Sequence, residues 1–207
     1  MVFIAQRKHL GRIMLRIVQD RINVPRRAVV LLSGGIDSYA CAHFLRRNQF
    51  AVSAVFVDFG QAAVAQESAA TAMISSSMGI ATTVIHIGSE GRRLFDTGEI
   101  PARNLALISA ATLFTNGPRV VALGIHAGTE YFDCSPSFLT RADRLFAECT
   151  GGAVSLIAPF LDWTKTDVIA YARSERLNLG LTYSCERGTM PPCGTCLSCL
   201  DRKALKC

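Results

Sequence analysis

A run of small and polar residues, Ser33-Gly34-Gly35-Ile36-Asp37-Ser38, lies between an apolar segment and one of helical composition. Adjacent glycines permit a tight turn with positive φ, and they let backbone N–H groups come close to a ligand. A helix that begins there adds unpaired N–H groups and the positive end of its dipole, which together bind phosphate. We therefore predict a phosphate-binding loop. The alternative is an ordinary strand-to-helix turn with Ser33 or Asp37 as the helix cap.

Three charged residues near the predicted ends of other strands could complete a site around this loop. Attack on a phosphate needs its charge neutralised by Mg²⁺ together with Lys or Arg donors. Lys165 follows the last predicted strand, and Arg103 opens a predicted helix after Pro101. Asp58 ends the second predicted strand, where it could hold the metal or the nucleotide. The plainer alternatives are a solvent-exposed lysine for Lys165 and a helix cap for Asp58.

Four cysteines near the C-terminus have the spacing of metal ligands: Cys185, Cys193, Cys196 and Cys199. Zn²⁺ prefers four soft ligands in a tetrahedron, and two-residue spacers let neighbouring thiols reach one ion. We predict a structural zinc site, with disulfides or an iron–sulfur cluster as the alternatives. Because residues 181–206 contain few large apolar side chains, the metal should supply much of the folding free energy of this segment. Chelation should therefore unfold it first.

Short apolar segments alternate with helical ones through the body of the chain. The predicted strands are 28–32, 51–57, 82–87, 119–123 and 154–157, and the predicted helices are 38–47, 62–78, 104–115, 137–149 and 164–174. Continuously apolar strands that alternate with helices predict a doubly wound parallel α/β sheet. The glycine- and proline-containing segment 88–102 predicts a long loop, which could act as a lid. We expect a leader at 1–27, a nucleotide-binding domain at 28–180 and a zinc-binding segment at 181–207.

Composition and charge limit the function classes. The 207 residues are 50% hydrophobic and 18% charged, which excludes a disordered chain. No segment has the apolar length of a membrane span, and the N-terminus lacks the pattern of a secretory signal. We therefore expect a cytoplasmic protein with reduced thiols. The net charge of +6 resides in residues 1–27 and the rest is neutral, so nucleic-acid binding is an unlikely main function.

The basic leader has apolar residues at helical spacing: Leu10, Ile13, Met14, Ile17, Val18 and Ile22. This pattern predicts an amphipathic helix that ends before Pro25. We expect it to pack on the domain or on a second subunit. Contact with a membrane surface or a nucleic acid is the alternative.

The motif Ser-Gly-Gly-x-Asp-Ser resembles the pyrophosphate loop of the N-type ATP pyrophosphatases. Together with the cysteine cluster, it makes about residues 28–206 similar to the 7-cyano-7-deazaguanine synthase family of queuosine biosynthesis. The matching segments are Leu-Leu-Ser-Gly-Gly-Ile-Asp-Ser at 31–38, Val-Asp-Phe-Gly-Gln at 57–61, Ile-Pro-Ala-Arg-Asn at 100–104, Gly-Ile-His-Ala-Gly at 124–128, Tyr-Phe-Asp-Cys at 131–134, Pro-Phe-Leu-Asp-Trp-Thr-Lys at 159–165, Thr-Tyr-Ser-Cys-Glu-Arg-Gly at 182–188 and Pro-Cys-Gly-Thr-Cys-Leu-Ser-Cys at 192–199.

The resemblance implies an adenylating ligase that is a homodimer and uses ATP, Mg²⁺ and structural Zn²⁺. In such a reaction the carboxylate of 7-carboxy-7-deazaguanine attacks ATP, ammonia displaces AMP, and a second adenylation of the amide permits dehydration to the nitrile. The implied catalytic residues are Lys165, Arg103, Asp37 and Ser38. The implied nucleotide-binding residues are Ser33, Gly34, Gly35, Ile36, Asp37, Ser38, Asp58 and Gln61. Asn104, Phe132 and Asp133 are the implied contacts of the deazaguanine, and the four cysteines are the implied zinc ligands.

The chain also departs from the family pattern. Ala62-Ala63 stands where the family usually has Arg-His, and Ser135 and Ser137 replace an arginine and an acidic residue. These changes raise a second hypothesis, a ligase that transfers the deazaguanine acyl group to another amine, possibly on a protein, in antiviral defence. A third hypothesis, a non-catalytic nucleotide-binding module, is disfavoured because the glycine loop, Lys165 and Arg103 are all kept.

Overall fold

The computed structural model describes residues 27–87, 100–115 and 120–207. Five parallel strands form one sheet in the order β3-β2-β1-β4-β5. The strands are β1 (Arg27–Leu31), β2 (Ala51–Asp58), β3 (Thr82–His86), β4 (Val120–Ala122) and β5 (Ser155–Ile157). They confirm the predicted doubly wound parallel sheet. The predicted leader helix and most of the predicted lid lie outside the described residues, and both stay predictions.

Within the described ranges, six α-helices connect or follow the strands. They are α1 (Ile36–Arg47), α2 (Val64–Met78), α3 (Arg103–Phe114), α4 (Pro136–Cys149), α5 (Lys165–Ser174) and α6 (Leu197–Ala204). Two short 3₁₀ turns, Phe132–Cys134 and Leu179–Leu181, complete the described elements. Helix α2 begins two residues later than predicted, because a turn precedes it. In this turn the Val64 N–H donates to the Gln61 carbonyl at 3.1 Å.

Both faces of the central strands are covered, which explains why residues 28–31 of β1 and all of β4 are apolar, whereas Thr83 and Val84 of the edge strand β3 are exposed. Helices α1, α2 and α5 pack on one face around Val30 and Phe160, which are fully buried. Helices α3 and α4 pack on the other face around Val29 and Val121. Alternate residues of β1 thus serve opposite cores. None of the helices formed by the described residues has the length and apolar character needed to cross a bilayer.

The strand order places a crevice at the carboxyl end of β1. After β1 the chain continues to its neighbour β2, whereas β4 lies on the other side of β1. Ligands of open α/β sheets bind at such a switch point, beyond the carboxyl ends of the strands. The glycine loop after β1 and the segment 124–128 after β4 both lie at this edge.

Candidate functional site

The glycine loop is tightly closed on itself. The Ser38 hydroxyl accepts a hydrogen bond from the Ser33 N–H (3.2 Å) and donates one to the Gly35 carbonyl (3.1 Å). Gly34 has φ +76°, and a Cβ there would stand 2.7 Å from the Glu67 carbonyl oxygen. Glycine is required at this position both for its backbone angle and for space.

The start of α1 is left open for a ligand. Its N-cap residue is Gly35, and no side chain of the described residues forms a capping hydrogen bond there. The alternative of a turn capped by Ser33 or Asp37 is therefore wrong. The first N–H groups of α1 and the positive end of its dipole thus have no side-chain cap within the described part of the chain, and an uncapped helix start of this kind can bind phosphate.

Lys165 lies over this helix start although it is far away in sequence. Its Nζ donates to Asp37 Oδ2 at 2.5 Å, and both side chains are about one quarter exposed. A capping box fixes the lysine: the Thr164 hydroxyl accepts from the Asp167 N–H (3.2 Å), and the Asp167 carboxylate accepts from the Thr164 N–H (2.9 Å). Lys165 is thus held in the first turn of α5.

A histidine that the sequence analysis did not select also faces Asp37. The His126 Nε2 lies 4.0 Å from Asp37 Oδ2, and its Nδ1 lies 2.7 Å from the Ala127 carbonyl oxygen. Gly124 makes this approach possible, because a Cβ there would stand 2.8 Å from the backbone of Asp37 and Ser38. The available signal was the position of Gly124-Ile125-His126 directly after an apolar strand.

Asp37 has one oxygen without a protein partner. Its Oδ1 is buried, and within the described residues it forms no hydrogen bond. A buried carboxylate oxygen without a partner is costly unless a ligand satisfies it. Mg²⁺ takes carboxylate and phosphate oxygens, so the donor at this position fits that ion.

Asp58 and Gln61 build the turn that follows β2. Asp58 Oδ1 accepts from the Gly60 N–H (3.0 Å), and its Oδ2 lies 3.0 Å from His86 Nδ1. The Gln61 side chain accepts from the Phe59 N–H (3.0 Å) and donates to Glu67 Oε2 (2.9 Å). Their direct hydrogen bonds are therefore internal to the turn and its neighbours.

Glu67 connects this turn to Arg103. Burial raises the pKa of the Glu67 carboxyl, while the Gln61 hydrogen bond and the positive charge of Arg103 act in the opposite direction. The charge of Arg103 thus acts on Glu67, and Arg103 begins α3 at the carboxyl-terminal edge of the sheet, although α2 and α3 pack on opposite faces. Glu67 could not be selected from the sequence, because a lone glutamate inside a helix carries no motif.

The three implied substrate residues meet at the start of α3. The Asn104 N–H donates to Asp133 Oδ2 at 2.9 Å, and the Asn104 side-chain amide donates to the Asp133 carbonyl at 2.9 Å. Both residues are buried. Phe132 is 56% exposed, and its ring contacts that of Phe138 edge-on at 6.1 Å. One oxygen of Asp133 therefore holds the helix start, and the Phe132 ring remains accessible.

The four predicted ligand cysteines converge. The sulfur atoms of Cys185, Cys193, Cys196 and Cys199 all lie within 4.8 Å of one another. Cys193 and Cys199 are 3.9 Å apart, close to the roughly 3.8 Å edge of a tetrahedron with Zn–S bonds of about 2.3 Å. The donor set and its spacing fit a structural Zn²⁺ ion.

Backbone N–H groups point at two of these sulfur atoms. Burial opposes ionisation of Cys185, but hydrogen bonds from the Cys193 N–H (3.3 Å) and from Thr189 outweigh it and lower the pKa to about 5. The N–H and hydroxyl of Thr195, with the Cys196 N–H, lower the pKa of Cys193. Both cysteines are thereby prepared to bind a metal as thiolates.

Two departures from the family pattern have a local structural explanation. Ala63 is buried, and the Cβ of a side chain at Gly188 would stand 2.8 Å from its Cα, so this turn packs against the cysteine segment. Ser135 caps α4 by accepting from the Phe138 N–H (3.1 Å), with Pro136 in the first turn. Ala63 and Ser135 therefore each have a packing or capping role. Nothing in the structure explains Ser137.

Solved structures with related folds support the architecture alone. An NH3-dependent NAD synthetase from Campylobacter jejuni aligns with a TM-score of 0.51 at 17% identity, covering 86% of this chain and 79% of its own. A predicted subunit of a tRNA methyltransferase from Methanocaldococcus jannaschii also gives 0.51 at 14% identity, covering 71% and 74%.

Sequence comparison is more specific. The relative from Aquifex aeolicus, named 7-cyano-7-deazaguanine synthase, is 31% identical over 84% of this chain and 94% of its own. A relative of the same name from Marinobacter nauticus is 33% identical over 84% and 89%. The family model described as queuosine biosynthesis protein QueC matches residues 27–93 and 91–205. The chain therefore belongs to the family of queuosine biosynthesis protein QueC.

Proposed function

We propose that this chain is an ATP-dependent carbon–nitrogen ligase that converts 7-carboxy-7-deazaguanine and ammonia to 7-cyano-7-deazaguanine. The observation that carries the proposal is the placement of Lys165 over the uncapped start of α1, 2.5 Å from Asp37. A lysine, a carboxylate and open helix N–H groups form one cluster at the switch point of the sheet. The names of the relatives support the choice of substrate.

In the first step the substrate carboxylate oxygen attacks the α-phosphorus of ATP, and the bond from that phosphorus to the bridging oxygen breaks. Pyrophosphate leaves with the bonding electrons. The N–H groups at the start of α1 and the hydroxyls of Ser33 and Ser38 hold the β- and γ-phosphates. Lys165 Nζ leaves Asp37 to stabilise charge on the phosphates, and Arg103 supplies a second positive charge.

Asp37 keeps a role when Lys165 turns to the nucleotide. Its Oδ1 needs a partner, and we assign it to Mg²⁺. Bound there, Mg²⁺ would neutralise phosphate charge and raise the electrophilicity of the phosphorus. As an imidazolium, with Nδ1–H donating to the Ala127 carbonyl, His126 would donate from Nε2, now 4.0 Å from Asp37 Oδ2, after a small side-chain movement.

The next steps form the amide and then use the same site for a second adenylation. Ammonia adds to the acyl carbon, AMP leaves with the carboxylate oxygen, and loss of protons gives the amide. The amide oxygen then attacks the α-phosphorus of a second ATP. Loss of both N–H protons and departure of AMP with the former amide oxygen form the carbon–nitrogen triple bond. Two ATP are converted to two AMP and two pyrophosphates.

The deazaguanine contacts fall at the start of α3. Phe132 offers an exposed ring for stacking on the heterocycle. Asp133 Oδ2 accepts from the Asn104 N–H at 2.9 Å, whereas among the described residues Oδ1 accepts only from the Cys134 thiol at 3.8 Å, so Oδ1 is the oxygen that would accept from the N1–H and N2–H edge of the base. Asn104 keeps Asp133 in place through its side-chain amide. A Zn²⁺ ion held by the four cysteines would be structural, because four thiolates leave no open position.

The test is a product analysis by mass spectrometry with ATP, Mg²⁺, 7-carboxy-7-deazaguanine and ammonium. Nitrile with two AMP per product supports the proposal. An amide or conjugate that persists while AMP accumulates supports the acyl-transfer alternative, including transfer to a protein amine, and absence of AMP with any amine supports a non-catalytic module. Lys165→Met should lose AMP formation. Lys203→Met, on the exposed surface of α6, is the matched control.

A further inference from the structure

The cysteine segment contacts the glycine loop directly. The Tyr183 N–H donates to the Gly34 carbonyl at 2.9 Å, and a Cβ on Gly35 would stand 3.9 Å from the Tyr183 carbonyl oxygen. Tyr183 is two residues before the first cysteine of the cluster. The backbone that leads into the metal cluster therefore borders the phosphate-binding loop.

The Tyr183 side chain belongs to the cysteine cluster. It is buried, it packs with Ala70, Cys185 and other residues of the cluster, and its hydroxyl donates to the Thr189 carbonyl at 2.7 Å. Ala70 is shared between the two sites, because its Cβ lies 2.9 Å from where a Cβ on Gly34 would stand. Helix α2 thus lies between the metal cluster and the glycine loop.

Two further contacts hold the segment against the domain. Gly188, at φ +66°, leaves no space for a Cβ, which would overlap the Ala62 carbonyl oxygen and stand 2.8 Å from the Ala63 Cα. Arg202 of α6 donates to the Thr182 carbonyl (3.1 Å) and hydroxyl (3.0 Å). Thr182 and Tyr183 are therefore held by the segment that carries the cysteines, whereas Gly34 belongs to the phosphate-binding loop.

We propose that the metal held by the four cysteines positions the phosphate-binding loop through Tyr183, so that metal and nucleotide binding are coupled. This inference rests on the proposed function only in taking a nucleotide as the ligand of the loop. Without metal, the four cysteines lose the interaction that orders their segment. The Tyr183 bond to Gly34 then weakens, and the positive-φ loop conformation becomes less populated. Tyr183 is a positioning residue, acting through Gly34.

Coupling of this kind is reciprocal. If metal tightens nucleotide binding by some factor, nucleotide must tighten metal binding by the same factor. A typical coupling lies between about 5-fold and 150-fold. We expect metal to tighten nucleotide binding by about 10-fold here, because one backbone hydrogen bond and one packing contact connect the two sites.

The decisive experiment measures the zinc affinity of the full chain by equilibrium competition with a chromophoric chelator, with and without a non-hydrolysable ATP analogue and Mg²⁺. Calorimetry on the zinc-loaded protein first establishes that the analogue binds. Failure to bind would overturn the proposed function. Where the analogue binds, a tighter zinc affinity at saturation supports the coupling, and equal zinc affinities overturn it.

A matched pair of variants separates this contact from general destabilisation. Gly188→Ala places a methyl group against Ala62 and Ala63 but leaves all four cysteines, whereas Gly151→Ala has a similar φ of +59° and open space around it. Both substitutions carry the backbone strain of a positive φ. Zinc-loaded Gly188→Ala should bind the analogue about 10-fold more weakly and Gly151→Ala as wild type. Equal affinities in the two variants would contradict the positioning role.

Discussion

Replacement of Gly34 by alanine should damage the phosphate loop far more than its backbone angle alone requires. Gly34 and Gly79 both have positive φ, at +76° and +61°. An added Cβ meets the Glu67 carbonyl oxygen at 2.7 Å and the Ala70 Cβ at 2.9 Å in the first case, and nothing within 4 Å in the second. Both alanines carry a left-handed penalty of about 1 kcal/mol, and the overlap at Gly34 adds about 1–3 kcal/mol.

We therefore expect Gly79→Ala to lose about 1 kcal/mol of unfolding free energy and to keep wild-type nucleotide affinity. Gly34→Ala should lose about 2–4 kcal/mol and bind a non-hydrolysable ATP analogue at least about 10-fold more weakly, since the loop must shift to remove the overlap. Urea unfolding and calorimetry measure the two quantities. Equal losses of stability and unchanged affinity in both variants would refute the geometry assigned to the loop.

Four other outcomes follow from the site. Lys165→Met should reduce the rate of pyrophosphate release by about 10²–10³ with little change in stability, whereas a rate within a few-fold of wild type would remove Lys165 from the mechanism. His126→Gln should raise the KM for ATP more than it lowers kcat; an unchanged KM would make His126 structural only. Cys193→Ser should bind less than one equivalent of zinc by elemental analysis, and full occupancy would exclude this ligand. Burial raises the pKa of the Glu67 carboxyl in the fold, so the unfolding free energy should decline as pH rises from the ordinary pKa of a glutamate towards the raised one; Glu67→Gln should remove that decline, and an unchanged slope of unfolding free energy against pH would contradict the assignment.

Local patterns in the sequence were enough to predict the strands, the glycine loop and the cysteine cluster. Each depends on residues that are close together along the chain. The run from Ser33 to Ser38 has its own internal hydrogen bonds, and the spacing of Cys193, Cys196 and Cys199 is itself the signal for metal ligation. Strands that are buried on both faces are apolar along their length, so their composition was enough to predict them.

Contacts between distant segments could not be predicted in this way. The approach of His126 to Asp37 depends on the absence of a side chain at Gly124, and the bond from Tyr183 to Gly34 joins the two ends of the domain. The charge and type of a residue can also suggest ligand binding where the residue stabilises the fold. Asp133 has the chemistry of a base-binding carboxylate, yet one of its oxygens holds the start of α3.

In the proposed mechanism, the substrate carboxylate is activated by accepting the AMP group of ATP at the glycine loop. Synthesis from 7-carboxy-7-deazaguanine labelled with ¹⁸O in both carboxylate oxygens tests it most directly. The account predicts that both labels appear in AMP, one in each of two molecules per nitrile, with unlabelled pyrophosphate. Label in inorganic phosphate together with ADP would contradict it, because the attack would then have occurred at the γ-phosphorus.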